Sequence, residues 1–166
     1  AQSVASGSIP AIERLEAACA AAGNAAIATI CGRYFAMDRD KRWERVRPAY
    51  LAITEAMANE HAPDALAGLE AAYARGEGDE FVAPTVIGPG APVRDGDAVV
   101  FMNFRADRAR EMTAAFVSPD FDGFERPRPL YALLGLDSNQ RGLRRVEREF
   151  TLCHEPKIRA AHFELR

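Results

Sequence analysis

Two short polar stretches hold the side chains best suited to grip an anion. The first is Gly32-Arg33-Tyr34-Phe35-Ala36-Met37-Asp38-Arg39-Asp40-Lys41-Arg42-Trp43, and the second is Asn103-Phe104-Arg105-Ala106-Asp107-Arg108-Ala109-Arg110. Arginine presents a planar fork of donors that matches phosphate or carboxylate with two hydrogen bonds. Arg105 and Arg108 stand three apart at an expected helix start, hence on neighbouring faces. A helix N-terminus adds free N–H groups and a dipole that favours an anion. Each stretch also follows an apolar run of strand length, and open α/β sheets bind ligands outside the carboxyl ends of their strands. Arginines from two such strands can converge on one phosphorylated substrate. Arg and Asp alternating in a loop can equally form a mutually paired, solvated surface. Arg42, Glu44, Arg45, Arg110 and Glu111 are expected to be surface groups of that kind.

Other chemistries find little support. His61 is a lone loop histidine, and His154 and His162 fall in the last thirteen residues, so a clustered-histidine metal site lacks ligands. Cys19, Cys31 and Cys153 form no CxxC pair, which excludes zinc-ribbon and dithiol motifs. Spacing leaves a Ser–His–Asp set open, but GxSxG, Walker and GxGxxG loops are absent. A net charge of −3 speaks against a general nucleic-acid binder. The charge is uneven: residues 1–123 carry 12 basic and 18 acidic side chains, and residues 124–166 carry 9 and 6. The sign changes near Phe124. No secretory signal pattern opens the chain, and no apolar run reaches the roughly 18 residues of a membrane span. The first residue is Ala rather than Met, as in a processed chain or a piece of a longer one.

The elements around the two stretches follow an α/β rhythm. Ser8-Ile9-Pro10 suits a helix start and Gly23 a left-handed stop. Residues 25–31 form an apolar run expected to be a buried strand. A helix is expected from near Asp40 to about Asn59, with Trp43, Val46, Tyr50, Ile53 and Met57 on its inner face. Another is expected from Pro63 to Gly76, with Leu66, Leu69 and Tyr73 inward. Residues 81–87 look extended and 88–92 form a loop. Asp95-Gly96 marks a tight turn before residues 97–104, the most strand-like run and the expected central strand. Residues 105–116 are expected to be helical. Beyond Phe124 only residues 143–150 suggest a helix. At 166 residues the chain suits one α/β domain, a sheet with helices on both faces.

The first stretch resembles the GRYYAMDRDxRW signature of cofactor-independent (2,3-bisphosphoglycerate-independent) phosphoglycerate mutases. Asp79 to Ile87 is similar to that family's DEFVxPTVI segment, and Asp95 to Arg110 to its DGDAVxFxNFRxDRAR segment. The resemblance extends over residues 8–125. It implies an inserted transferase domain, residues 1–125, incomplete at its N-terminus, followed by a divergent basic tail, 126–166. An upstream Asp-Gly-Arg-Asp motif would lie just before residue 1, and Ala106 stands where the family usually has proline.

By resemblance, Arg33, Arg39, Arg105 and Arg108 bind the phosphate and carboxylate of 2- or 3-phosphoglycerate. The implied reaction is their interconversion, an isomerase step of glycolysis and gluconeogenesis in the cytoplasm. The serine nucleophile and two manganese ions would belong to a phosphatase-like domain of the alkaline phosphatase superfamily. This chain carries no motif for either and would be inactive alone. A monomer is expected, with neither nucleic acid nor membrane as partner. The contrasting reading is a non-catalytic α/β binding module or relic fragment. A stand-alone phosphohydrolase would need metal ligands that the sequence does not supply.

Overall fold

The computed structural model describes residues 7–94, 97, 99, 101, 106–127 and 161–165. In chain order these form α1 (Ile9–Ala22), β1 (Ile27–Gly32), α2 (Arg33–Ala36), α3 (Trp43–Glu55), β2 (Glu60–Ala62), α4 (Ala65–Ala74), β3 (Thr85–Ile87), α5 (Arg110–Val117) and β4 (Ala161–Leu165). Single 3-10 turns occupy Asp79–Phe81 and Ala106–Arg108.

β1 organises the sheet. The strand order is β2-β3-β1-β4, with β1 antiparallel to β3 and parallel to β4, and β2 parallel to β3. All six residues of β1 are buried, as a strand covered on both faces requires. Ile30 and Cys31 are chain neighbours and so point to opposite faces. Ile30 joins a core with Ile12 of α1 and Leu69 of α4, while Cys31 joins one with Val46 and Tyr50 of α3 and Met112 and Phe116 of α5. The sheet is therefore clad by helices on both sides, as expected.

Local chemistry explains most boundaries. Gly23 takes φ 74° and closes α1 by donating to the carbonyls of Cys19 and Ala20. Ser8 stands at the N-cap, but its side chain makes no cap bond; it is buried and interacts with Tyr73 instead. Asp64 caps α4 by accepting from the Ala67 amide at 2.7 Å. Glu16 of α1 accepts from the Ala65 amide at 2.9 Å and ties the two helices together.

Several expectations are corrected. The helix expected over 40–59 runs only from Trp43 to Glu55, because Ala56 turns left-handed at φ 51°. Val46 and Tyr50 are fully buried, but Met57 falls beyond that end and lies exposed. Of residues 81–87 only Thr85–Ile87 form a strand; Pro84 has no N–H to extend the ladder. The expected central strand is not a strand at Asp97, Val99 or Phe101, the described residues of that run. Both sides of β1 are taken by β3 and β4, and Val99 and Phe101 pack on the α3–α5 core instead. β4 is drawn from the basic tail. The helix suggested at 143–150 lies outside the described residues.

Candidate functional site

The site begins where β1 ends. Gly32 donates its N–H to the Val82 carbonyl at 2.8 Å. A Cβ there would stand 2.4 Å from the Glu80 carbonyl oxygen and 2.6 Å from the Val82 nitrogen. Only glycine lets the two backbones approach so closely. That approach sets Arg33, the first residue of α2, beside Glu80, and the two form an ion pair at 3.1 Å. Tyr34 lies between the Arg45 guanidinium, 4.1 Å from its ring centre, and the half-exposed Phe81 ring at 5.1 Å.

Beyond α2 the chain folds into a tight loop around Asp38. This carboxylate is 6% exposed and accepts the amides of Asp40 and Arg42, each at 2.9 Å. The Arg42 guanidinium adds a bond at 3.1 Å, and Arg45 stands 3.8 Å away. Burial alone would raise the pKa of Asp38, but the two amides and the Arg42 guanidinium outweigh it and hold it below the ordinary value. The intervening Lys41 takes φ 57° and donates its amide to Glu111 Oε1 at 2.7 Å. Arg39 leaves the loop exposed and pairs with Asp107 at 3.3 Å. Asp107 neighbours Arg108 in the Ala106–Arg108 turn, where Arg108 makes no ion pair among the described residues.

The first arginine cluster is thus positioned by β1 and α2, and the second by the turn before α5. Arg39 pairs with Asp107, the chain neighbour of Arg108. Arg33 pairs with another element, the turn at Glu80. Arg105 lies outside the described residues. Among those expected to be surface groups, Arg42, Glu44 and Arg110 are exposed, Arg45 is half-buried near Asp38, and Glu111 is a correction: it is 8% exposed. Its position is legible in retrospect, since Glu111, Met112, Ala115 and Phe116 share the i, i+1, i+4, i+5 pattern of one helix face. Burial, and after it the nearby Asp38 and Asp40 carboxylates, outweigh the Lys41 amide and raise the Glu111 pKa.

Chemically, Arg33 and Arg39 offer guanidinium forks whose present partners, Glu80 and Asp107, are partly exposed carboxylates. Such pairs contribute about 0–1 kcal/mol, so a multiply charged anion can displace them. Among the described residues no group of three His, Cys, Asp or Glu gathers to hold a metal ion. No helix among the described residues is long and apolar enough to cross a membrane. A hollow lined by Glu16, Cys19, Ile27, Pro63, Ile87 and Pro89 shares no residue with the arginine cluster.

Comparison with known proteins agrees with the motifs. The family model described as the N-terminus of BPG-independent PGAM matches residues 4–138. A 2,3-bisphosphoglycerate-independent phosphoglycerate mutase of Laribacter hongkongensis is 63% identical over 113 residues, covering 68% of this chain and 22% of that protein. The corresponding protein of Pseudomonas syringae pv. syringae is 62% identical over 117 residues, covering 70% and 23%. A crystal structure of Leishmania mexicana phosphoglycerate mutase, determined at low cobalt concentration, superposes with a TM-score of 0.71 at 33% identity. It covers 78% of this chain and 26% of the other. The chain spans about a quarter of the length of these relatives, and it belongs to the family of 2,3-bisphosphoglycerate-independent phosphoglycerate mutases.

Proposed function

We propose that this chain is the substrate-orienting part of a phosphoglycerate mutase that interconverts 3-phosphoglycerate and 2-phosphoglycerate. The observation that supports the reading is the ion pair of Arg39 with Asp107, the chain neighbour of Arg108, in a chain of this family whose Arg33 follows the carboxyl end of β1. Arg33, Arg39, Arg105 and Arg108 are the proposed ligands of the substrate's phosphate and carboxylate. On binding, the anion takes the place of Glu80 on Arg33 and of Asp107 on Arg39. The fork geometry fixes the glycerate's direction, and holding it through two phosphoryl steps is catalysis by orientation.

The serine nucleophile and the manganese ions belong, in this proposal, to a phosphatase-like partner domain that supplies phosphoryl transfer. The transferase domain spans residues 1–125, with 126–166 as its tail, and the protein acts as a cytoplasmic monomer in glycolysis and gluconeogenesis. Phosphorus NMR of the purified chain with 3-phosphoglycerate tests the division of labour. The substrate resonance is expected to shift with added chain, while no 2-phosphoglycerate resonance grows in. Conversion by the chain alone would overturn the assignment of chemistry to the partner domain.

A further inference from the structure

Three consecutive amides of the Arg39 loop are shared between two carboxyl groups. Asp38 accepts from Asp40 and Arg42, and Glu111 accepts from Lys41. Glu111 uses only Oε1 for this; its Oε2 is buried and meets no donor. A buried acceptor without a donor is costly, and an ionised one beside a second carboxylate more so. A proton on Oε2 resolves both problems, because the neutral acid can donate to Asp38 and still accept from Lys41.

The geometry points to Glu111 as a positioning residue: as the neutral acid it shares one proton with Asp38 and latches the Arg39 loop onto the segment that bears Arg108. The inference rests on the proposed substrate role of those arginines and adds the device that fixes their spacing. The loop needs such a device, since Lys41 sits in the left-handed region that non-glycine residues rarely adopt. The charged groups around the latch are Asp38 and Asp40 from the loop, with Arg42 and Arg45 on Asp38 and Arg39 on Asp107. Arg110, on Glu111's own helix, faces solvent. Burial and the neighbouring carboxylates raise the pKa of Glu111, whereas two amides and Arg42 lower that of Asp38 against its burial. Loss of that proton leaves two facing carboxylates, so the latch loosens as pH rises.

The test compares the 166-residue chain with Glu111→Gln and Glu111→Ala by amide hydrogen exchange at Lys41, corrected for the intrinsic rate. The glutamine amide copies the neutral acid, with one acceptor and one donor. Glu111→Gln is expected to keep Lys41 protected, and Glu111→Ala to speed its exchange by about tenfold or more. As pH rises through the raised folded pKa of Glu111 the wild-type protection falls while that of Glu111→Gln stays flat. Titration with 3-phosphoglycerate reads the consequence: Glu111→Ala weakens binding about five- to tenfold and Glu111→Gln restores it.

Coincident pH profiles for wild type and Glu111→Gln would overturn the latch, as would loss of Lys41 protection in Glu111→Gln. Unchanged affinity in a Glu111→Ala chain whose Lys41 exchange has risen would overturn its positioning role. If Glu111→Ala does not fold, the wild-type and Glu111→Gln profiles decide alone. The exchange arm needs no ligand, so a wild-type chain that binds no phosphoglycerate refutes the substrate reading and leaves the latch to the exchange data.

Discussion

Asp38 and Glu111 are both buried carboxyl groups, yet their surroundings drive them in opposite directions. Asp38 receives two amides and a guanidinium; Glu111 receives one amide and faces other carboxylates. The signs of their pH effects follow by linkage. Asp38 has a folded pKa below the ordinary 3.8, so its stabilisation is present above that value and is lost as pH falls through the folded one. Glu111 has a folded pKa above 4.5, so stability declines as pH rises from 4.5 through the folded value. Urea unfolding across this range is expected to show that decline in wild type and not in Glu111→Gln. Asp38→Ala is expected to lose about 1–3 kcal/mol at neutral pH, since two loop amides and Arg42 lose their acceptor. A smaller loss would mean that the loop re-pairs with water. The sequence made the arginines legible, because their type and their place after apolar runs announce anion chemistry. It left Glu111 among the surface charges and gave Asp38 no role of its own, because alternating Arg and Asp look alike whether they point inward or outward. What separates them is the helical register that puts Glu111 on the same stripe as Phe116.

Elements position the site through one close contact, where β1 passes the Glu80–Val82 segment at Gly32. Gly32→Ala is expected to destabilise by about 1–3 kcal/mol, because the methyl group meets backbone atoms that cannot rotate away. Displacement of Arg33 from Glu80 should accompany it, visible as altered exchange at residues 79–82. An unchanged unfolding midpoint would show that the segment moves freely and that glycine is not required. The helical period and its punctuation made α1, α3 and α4 readable, and Gly23 and Pro63 lie close to the ends they mark. The four-residue α2 was not readable, being too short to show a period. Residues 97–104 were misjudged at the described positions for another reason. Periodicity reports that a run is apolar and extended, but not which strand wins the edge of β1. That contest is settled by tertiary pairing, and β4 holds the edge.

On the scale of the whole molecule, the described residues form two apolar cores separated by one sheet, with Arg33 directly past the end of its most buried strand. The fold class was readable because helices alternated with a buried strand. The origin of β4 in the basic tail was not, since residues 161–165 carry no distinctive pattern. Belonging to a mutase family while spanning a quarter of its relatives' length, the chain is proposed to hold substrate and to leave phosphoryl transfer to its partner domain. Calorimetric titration with 3-phosphoglycerate tests that claim most directly, using wild type, Arg33→Ala, Arg108→Ala and, as a control on the opposite face, Arg14→Ala in α1. The account predicts saturable binding that weakens about ten- to a hundredfold in the first two variants, the loss of a charge-assisted hydrogen bond, and is unchanged in Arg14→Ala. Equal affinity in all four folded chains, or no binding in wild type, would contradict it.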